Sequence, residues 1–418
     1  CRQATRGSFD ALWPAGYNPP GIEGRHSLPA ARTDEECRLR GKTRLGDVAF
    51  AVGLFILLLL FFWPVTVGRS TLLPADILYS HQPWRGAVAG GAPPLPHNDL
   101  VSDLVLENYV WKRFVIECLR ARQLPLWNPY IAGGLPFLAA GQHSALYPLS
   151  LIYYLIPLPR AYGLFTVLQL LIAGLGLYFY ARTLRLSRLS AAAGGLVFAF
   201  SGFFLVSTVF PMILASAAWL PFLLAATERL LAATAPGPGG LRERLSAPLP
   251  WLILGSLGLG VQFLAGHAEP AYYNLLVVGA YALCRGLAAR RGRALAAFAA
   301  AFALMVGLGA ALGAVQTIPF YELATHSFRE GSATYAQIIG WAYPKRHVLA
   351  FLVPDFFGNP THHSYTDLWS GETVTSLQNA LGQPVRTIHW GIKNYVVGGA
   401  YVSLVGLALA VVGAWRGP

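Results

Sequence analysis

The chain has 418 residues, of which 55% are hydrophobic and only 12% charged, and its mean hydropathy is +0.48. A soluble domain carries about 25% charged residues, so a soluble globular class is excluded. The net charge of +12 does not point to nucleic acid, because Lys and Arg flanking apolar spans account for it; no nucleic-acid partner is expected.

Residues 1–46 are polar, rich in Pro and Gly, and lack the shape of a signal peptide. They read as a cytoplasmic, poorly ordered N-terminal segment. Residue 1 is Cys rather than Met, so further sequence is expected before it. Cys1, Cys37, Cys118 and Cys284 have neither metal-ligand nor disulfide spacing.

The stretch "DVAFAVGLFILLLLFFWPVTVG", 47–68, predicts the first membrane span. Further spans are expected at 161–181, 190–209, 211–231, 249–266, 270–287, 294–318 and 395–415, eight in all. Arg38, Arg40, Lys42 and Arg44 put the start of the first span in the cytoplasm by the positive-inside rule. The short loops then agree with one another. Arg182, Arg185 and Arg188 fall inside, as do Arg242, Arg244, Arg285, Arg290, Arg291, Arg293 and Arg416, while the turns near 210 and 266–270 hold no Lys or Arg. The predicted fold is an all-α polytopic membrane protein, domain 47–418, with extracytoplasmic loops 69–160 and 319–394. The expected location is a bacterial cytoplasmic membrane with a cytoplasmic N-terminus. The chain stops on "WRGP" after its last span, and further sequence is expected beyond Pro418.

In the first long loop, "HNDLVSDLVLEN" places Asp99, Asp103 and Glu107 at steps of four, on one helix face. Like charges at that spacing repel by a few tenths of a kcal/mol, a cost that asks for a reason. Asn98 or Asp99 can cap a helix running to about Arg122. Val101, Leu104, Val105, Val115, Cys118 and Leu119 form its apolar stripe, suited to a membrane surface. The following "QLPLWNPYIAGGLPFLAAGQHSALYPLS" is dense in Pro, Gly, Trp and Tyr, the composition of a compact, turn-rich loop. Loop 124–150 is expected to pack against 319–394 and roof a cavity open to lipid. The second loop mixes acids, cations, His and aromatics. Such surfaces suit sugar rings, and equally suit an interfacial aromatic belt. His267 and Glu269, in "QFLAGHAEPAYYN", sit at the tip of a helical hairpin on the same side. Ionisable groups at a membrane boundary point to function, and a polar turn is the alternative.

Several segments in order resemble the YfhO-type bacterial membrane proteins, of the C-type glycosyltransferase class. They are "SDLVLENYVWKRF", "LPLWNPYIAGGLPFLAAGQHSALYPL", "LSRLSAAAGGLVFAFSGF", "LAGHAEPAYY", "LGAVQTIPFYELATHSFR", "PDFFG" and "NYVVGGAYV", covering about 50–415. The Leu-Trp-Asn-Pro-Tyr core is the most specific. Ala268-Glu269 stands where the family often has Pro-Gln, and family members are usually longer.

The resemblance implies a transferase that moves a sugar from a polyprenyl-phosphate-linked donor, taken from the membrane lipids, to an extracytoplasmic envelope polymer or glycan. It places the general base on Asp103. The matching segments imply a substrate-binding set of Glu107, Lys112, Arg113, Trp127, Asn128, Gln142, His267, Glu269, Glu322 and Arg329. Lys112, Arg113, Arg329, Lys345 and Arg346 are the cations offered to a leaving lipid phosphate. Glu107 assists, holds a divalent metal with Asp103, or faces solvent; no cofactor beyond such a metal is expected. The chain contains no Asp-x-Asp pair of the kind that would suit a nucleotide-sugar donor. The rival classes are a non-catalytic subunit of a membrane assembly and a transporter of a lipid-linked substrate. A transporter should carry ionisable residues deep in its spans, and here the acids gather in the loops.

Overall fold

A computed structural model describes residues 34–87, 101–236, 240–327, 334–340, 342, 345–354, 356, 365–366, 373–374, 377–378, 384–385, 399 and 401–416. The chain divides into two units, Cys1–Val48 and Ala49–Pro418. The first contributes the start of a helix, α1 (Asp34–Phe61); everything below concerns the second.

The protein is mainly helical, and among the described residues five helical stretches are long and apolar enough to cross a membrane: Leu158–Thr183, Arg188–Val209, Pro211–Ala233, Arg242–Leu264 and Gly292–Thr325. Their main helices are α3 (Leu158–Thr183), α4 (Arg188–Ala199), α5 (Leu220–Ala233), α6 (Leu249–Leu264) and α8 (Gly292–Thr325). The other three expected spans overlap helices in part. Leu45–Phe61 and Leu404–Trp415 are apolar but shorter. The third, α7 (Ala268–Ala289), carries Glu269 and Arg285. Residues 395–398 of the last expected span lie outside the described residues.

Starts and stops follow local chemistry. The Ser187 hydroxyl accepts from the Ser190 N–H at 3.1 Å and caps α4. Pro in the first turn opens α3, α5 and α6, where its missing N–H costs nothing. The seventh expected span ends at residue 318. Instead α8 runs through Pro319 to Thr325. A proline inside a span is tolerated where neighbouring groups take up the freed carbonyl, so Glu322 lies in the last turns of α8 rather than in a loop.

Small residues let the helices approach. A Cβ on Gly309 or Gly313 would come within 2.8 Å of Leu259 and 2.6 Å of Phe263, which locks α8 onto α6. The Ser256 hydroxyl adds a bond of 2.9 Å to the Met305 carbonyl. Leu54, Leu58, Leu170, Phe204 and Leu214 form one buried cluster, and Leu104, Tyr147, Tyr153, Tyr162 and Phe165 another.

The bundle has two chemically different ends. At one, Arg290 reaches the Leu231 carbonyl at 3.0 Å, and Arg229 lies over the rings of Phe179 and Trp251. Glu228 of α5 is held there by Arg285 through bonds of 2.5 and 3.1 Å and by the Tyr281 hydroxyl at 2.6 Å. The pair is bidentate and self-neutralising. At the other end gather the turns at Phe210 and Gly266 and the segment 101–157.

Candidate functional site

The acidic stripe begins a helix that is not uniform. Leu104–Asn108 is a π-helical turn, and α2 (Tyr109–Arg120) continues it as an ordinary α-helix. Such turns are rare and recur at functional sites. The expected cap residues, Asn98 and Asp99, lie outside the described residues. The helix ends at Arg120, close to expectation, and Arg122 takes a left-handed conformation with φ of 55°.

Val101, Leu104, Val105 and Val115 are buried as the apolar stripe requires, whereas Leu119 at the far end is exposed. Between them, Asn108 and Lys112 occupy positions on the same stripe and are 2% and 1% exposed. The Lys112 ammonium donates to the His143 carbonyl at 2.5 Å and sits 4.3 Å from the centre of the Tyr153 ring. Burial brings its pKa down to about 7. Asn108 donates to the Gln142 carbonyl at 3.4 Å and accepts from the Tyr162 hydroxyl at 2.8 Å. Two side chains one turn apart thus grip the carbonyls of consecutive loop residues. This is a correction for Lys112: it was expected to face substrate phosphate, and it is an internal strut instead.

The loop gripped in this way is compact. β1 (Trp127–Asn128) pairs antiparallel with β2 (Leu135–Pro136). Gly134 has φ of +120°, and a Cβ there would lie 2.5 Å from the Trp127 ring, so only glycine closes this hairpin. Asn128 is buried and spends its side-chain oxygen on the Tyr130 N–H at 2.9 Å, a local turn bond. His143 is also buried, stacked on Phe137. Its Nε2 bonds the Phe137 carbonyl at 2.9 Å and its Nδ1 accepts from the Ala145 N–H at 3.0 Å. Burial, then the nearby Lys112 charge, lower its pKa to about 4, so the ring is neutral.

The loop is driven into the bundle end. The Ser144 hydroxyl bonds the Ala265 carbonyl at 2.6 Å, and the Gln316 amide of α8 donates to the Leu138 carbonyl at 3.0 Å. Gly141 and Gly266 pass so closely that a Cβ on Gly266 would fall 1.9 Å from the Gly141 carbonyl oxygen. The expected partner of this loop was 319–394. The contacts seen are with the α6–α7 turn and α8 just before that segment, most of which lies outside the described residues.

These contacts bring Asp103, Glu107 and Gln142 to one small cleft, closed by Trp111, Phe210 and Met212. Glu107 is partly covered, and burial first and the Asp103 carboxylate second raise its pKa. The repulsion read from the stripe is therefore present in the fold. Phe210 also borders a larger apolar groove of about 690 Å³. Val197, Phe204 and Ile213 lie along this groove, and His267, Glu269, Tyr273 and Asn274 supply its polar groups. The Tyr273 hydroxyl donates to Glu269 at 3.0 Å. His267 Nδ1 is buried and has no partner among the described residues. Burial lowers the His267 pKa, with Glu269 opposing.

Other expected site residues lie elsewhere. Arg113 is exposed, pairs with Glu117 at 3.3 Å, and does not border the cleft. Trp127 is exposed on the hairpin. Glu322 is exposed on α8. Arg329 and the Arg346 side chain lie outside the described residues, and Lys345 is exposed. No Lys or Arg is among the residues lining the cleft. No group of three or more His, Cys, Asp or Glu able to hold a metal occurs among the described residues. Trp111, Phe210 and Met212 were not foreseen. Trp111 follows Glu107 by one helical turn, which was a usable signal; the other two come from a distant turn. No family model, no curated protein and no solved structure matches this chain.

Proposed function

We propose that the chain is an eight-span glycosyltransferase of the bacterial cytoplasmic membrane, with its N-terminus in the cytoplasm. It moves a sugar from a polyprenyl-phosphate-linked donor to an extracytoplasmic acceptor. The observation that carries this reading is the adjacency of two unlike surfaces. A carboxylate cleft with Asp103, Glu107 and Gln142 meets, at Phe210, an apolar groove with a His–Glu–Tyr–Asn cluster along it. An isoprenoid chain needs an apolar bed, and a transferred sugar needs a base beside it. The resemblance of the quoted segments to the YfhO-type proteins points the same way.

In this reading the Asp103 carboxylate takes the proton of the acceptor hydroxyl. The hydroxyl oxygen attacks the anomeric carbon from the face opposite the lipid phosphate. The bond from that carbon to the phosphate oxygen breaks, and the phosphate leaves with the electron pair on its lipid. Glu107, whose pKa burial and the Asp103 carboxylate raise, is suited to hydrogen-bond the sugar. His267, whose Nδ1 has no partner among the described residues, borders the groove, where a phosphate oxygen would meet the ring.

Transport is the second reading. The Glu228–Arg285 pair is the ionisable feature that it would use, but each charge already satisfies the other within a bidentate bridge. The test is a photoactivatable polyprenyl-phosphate analogue applied to the full chain in membranes. Crosslinks should map to peptides within 194–220 and 267–274. Crosslinks confined to other helices would remove the donor from this groove and with it the proposal.

A further inference from the structure

A second cavity lies on the opposite flank of α2, and it does not depend on the transferase reading. We infer that it binds the phosphodiester headgroup of an anionic glycerophospholipid. The cavity, of about 460 Å³, is closed by α2 on one side and by Tyr153–Pro159, the foot of span α3, on the other. Arg113 and Arg120 face it two turns apart. None of Asp103, Glu107 and Gln142 borders it.

Three observations point to a ligand. Arg120 has no ion-pair or hydrogen-bond partner among the described residues. Arg113 has only Glu117, and both side chains are more than half exposed, at 58% and 56%. Such a surface pair is weak and yields readily to a better anion. The third is Tyr153, which is 1% exposed and borders the same cavity, yet its hydroxyl has no partner among the described residues. A buried donor without an acceptor is costly unless a ligand supplies one.

The remaining lining fits a lipid rather than a free ion. Ile116, Leu155, Ile156 and Leu158 give the cavity an apolar wall where a membrane span begins. Leu151, Leu155 and Val110 beside it are exposed at 55%, 73% and 48%, a surface that belongs against acyl chains. Two arginines and one glutamate leave a local charge of +1, which matches the single negative charge of a phosphodiester. Guanidinium groups bind phosphate oxygens in a bidentate manner. A headgroup without an ammonium, such as glycerol, adds no repulsion to the second arginine.

The test is native mass spectrometry of the full chain in mild detergent, titrated with phosphatidylglycerol or phosphatidylcholine. Each basic residue at an anionic lipid surface is worth a factor of about five, so Arg113→Gln with Arg120→Gln should weaken phosphatidylglycerol binding roughly 30-fold. Tyr153→Phe, which removes only the hydroxyl, should weaken it several-fold. Arg242→Gln, in the opposite end's loop, should not. Inorganic phosphate alone should fail to displace the lipid. Equal binding by wild type and the double variant, equal binding of the two lipids, or displacement by phosphate would each overturn the inference.

Discussion

Replacing Lys112 with methionine removes one buried charge while keeping the length of the side chain. The ammonium is fully enclosed, and its favourable contacts among the described residues are the His143 carbonyl and the Tyr153 ring. Among the described residues no carboxylate perturbs it, and the neighbours that titrate are Tyr153 and the neutral His143. Burial lowers its pKa from an ordinary 10.5 to about 7. In the unfolded chain the proton stays on until about pH 10.5, whereas in the fold it leaves near pH 7. Between those values the unfolded state binds one more proton, so stability rises with pH, by about 1.4 kcal/mol per pH unit. Below pH 7 both states are protonated and this slope vanishes. A thioether does not titrate, so Lys112→Met lacks the slope. The assay is thermal unfolding of both proteins in detergent from pH 6 to 9.5, followed by tryptophan fluorescence. The variant should be the more stable at pH 6, and wild type should close the gap steadily above pH 7. A stability difference that stays constant across the range would mean that Lys112 remains charged in the fold, and would refute the reasoning.

Other consequences follow from the same geometry. Gly266→Ala forces a Cβ to 1.9 Å from the Gly141 carbonyl at a residue with φ of +84°; the loop must detach, and trypsin should cleave after Arg122 faster than in wild type. Unchanged cleavage would show that the 137–150 loop is not held by this contact. Single cysteines at Arg188, Arg244 and Arg291 should react with a membrane-impermeant maleimide only from the cytoplasm, and cysteines at Asp103 and His267 only from outside. Labelling of positions 103 and 291 from the same side would overturn the topology.

Five of the expected spans were legible because hydropathy acts over some twenty residues and does not depend on neighbours. The acidic stripe was legible too, since helical periodicity alone puts Asp103 and Glu107 together. Lys112 was assigned to a leaving phosphate on its charge alone, and Asn108 was not singled out, yet both are buried. Both lie at stripe positions, and a polar residue on an apolar stripe marks a buried hydrogen bond whose partner sequence does not reveal. Arg113 was placed in the site by the resemblance and by its charge, but one residue's step on a helix turns a side chain by about 100°, onto another flank. Phe210 could not have been foreseen, because its part in the cleft depends on how a distant helix turn docks. The end of the seventh span was set by hydropathy, whereas the helix itself runs on through Pro319 to Thr325.

The most direct test is sugar transfer itself. Wild type and Asp103→Asn, reconstituted in vesicles with a polyprenyl-phosphate-linked sugar and an envelope glycan acceptor, are compared by mass spectrometry of the product. Asn keeps the size of the side chain and removes the base, so transfer should fall by about 10²–10⁴-fold, the worth of a positioned general base, while the variant still takes up the polyprenyl-phosphate probe. Equal rates in the two proteins would contradict the assignment of Asp103, and absence of transfer by wild type with every such donor would favour a non-catalytic subunit.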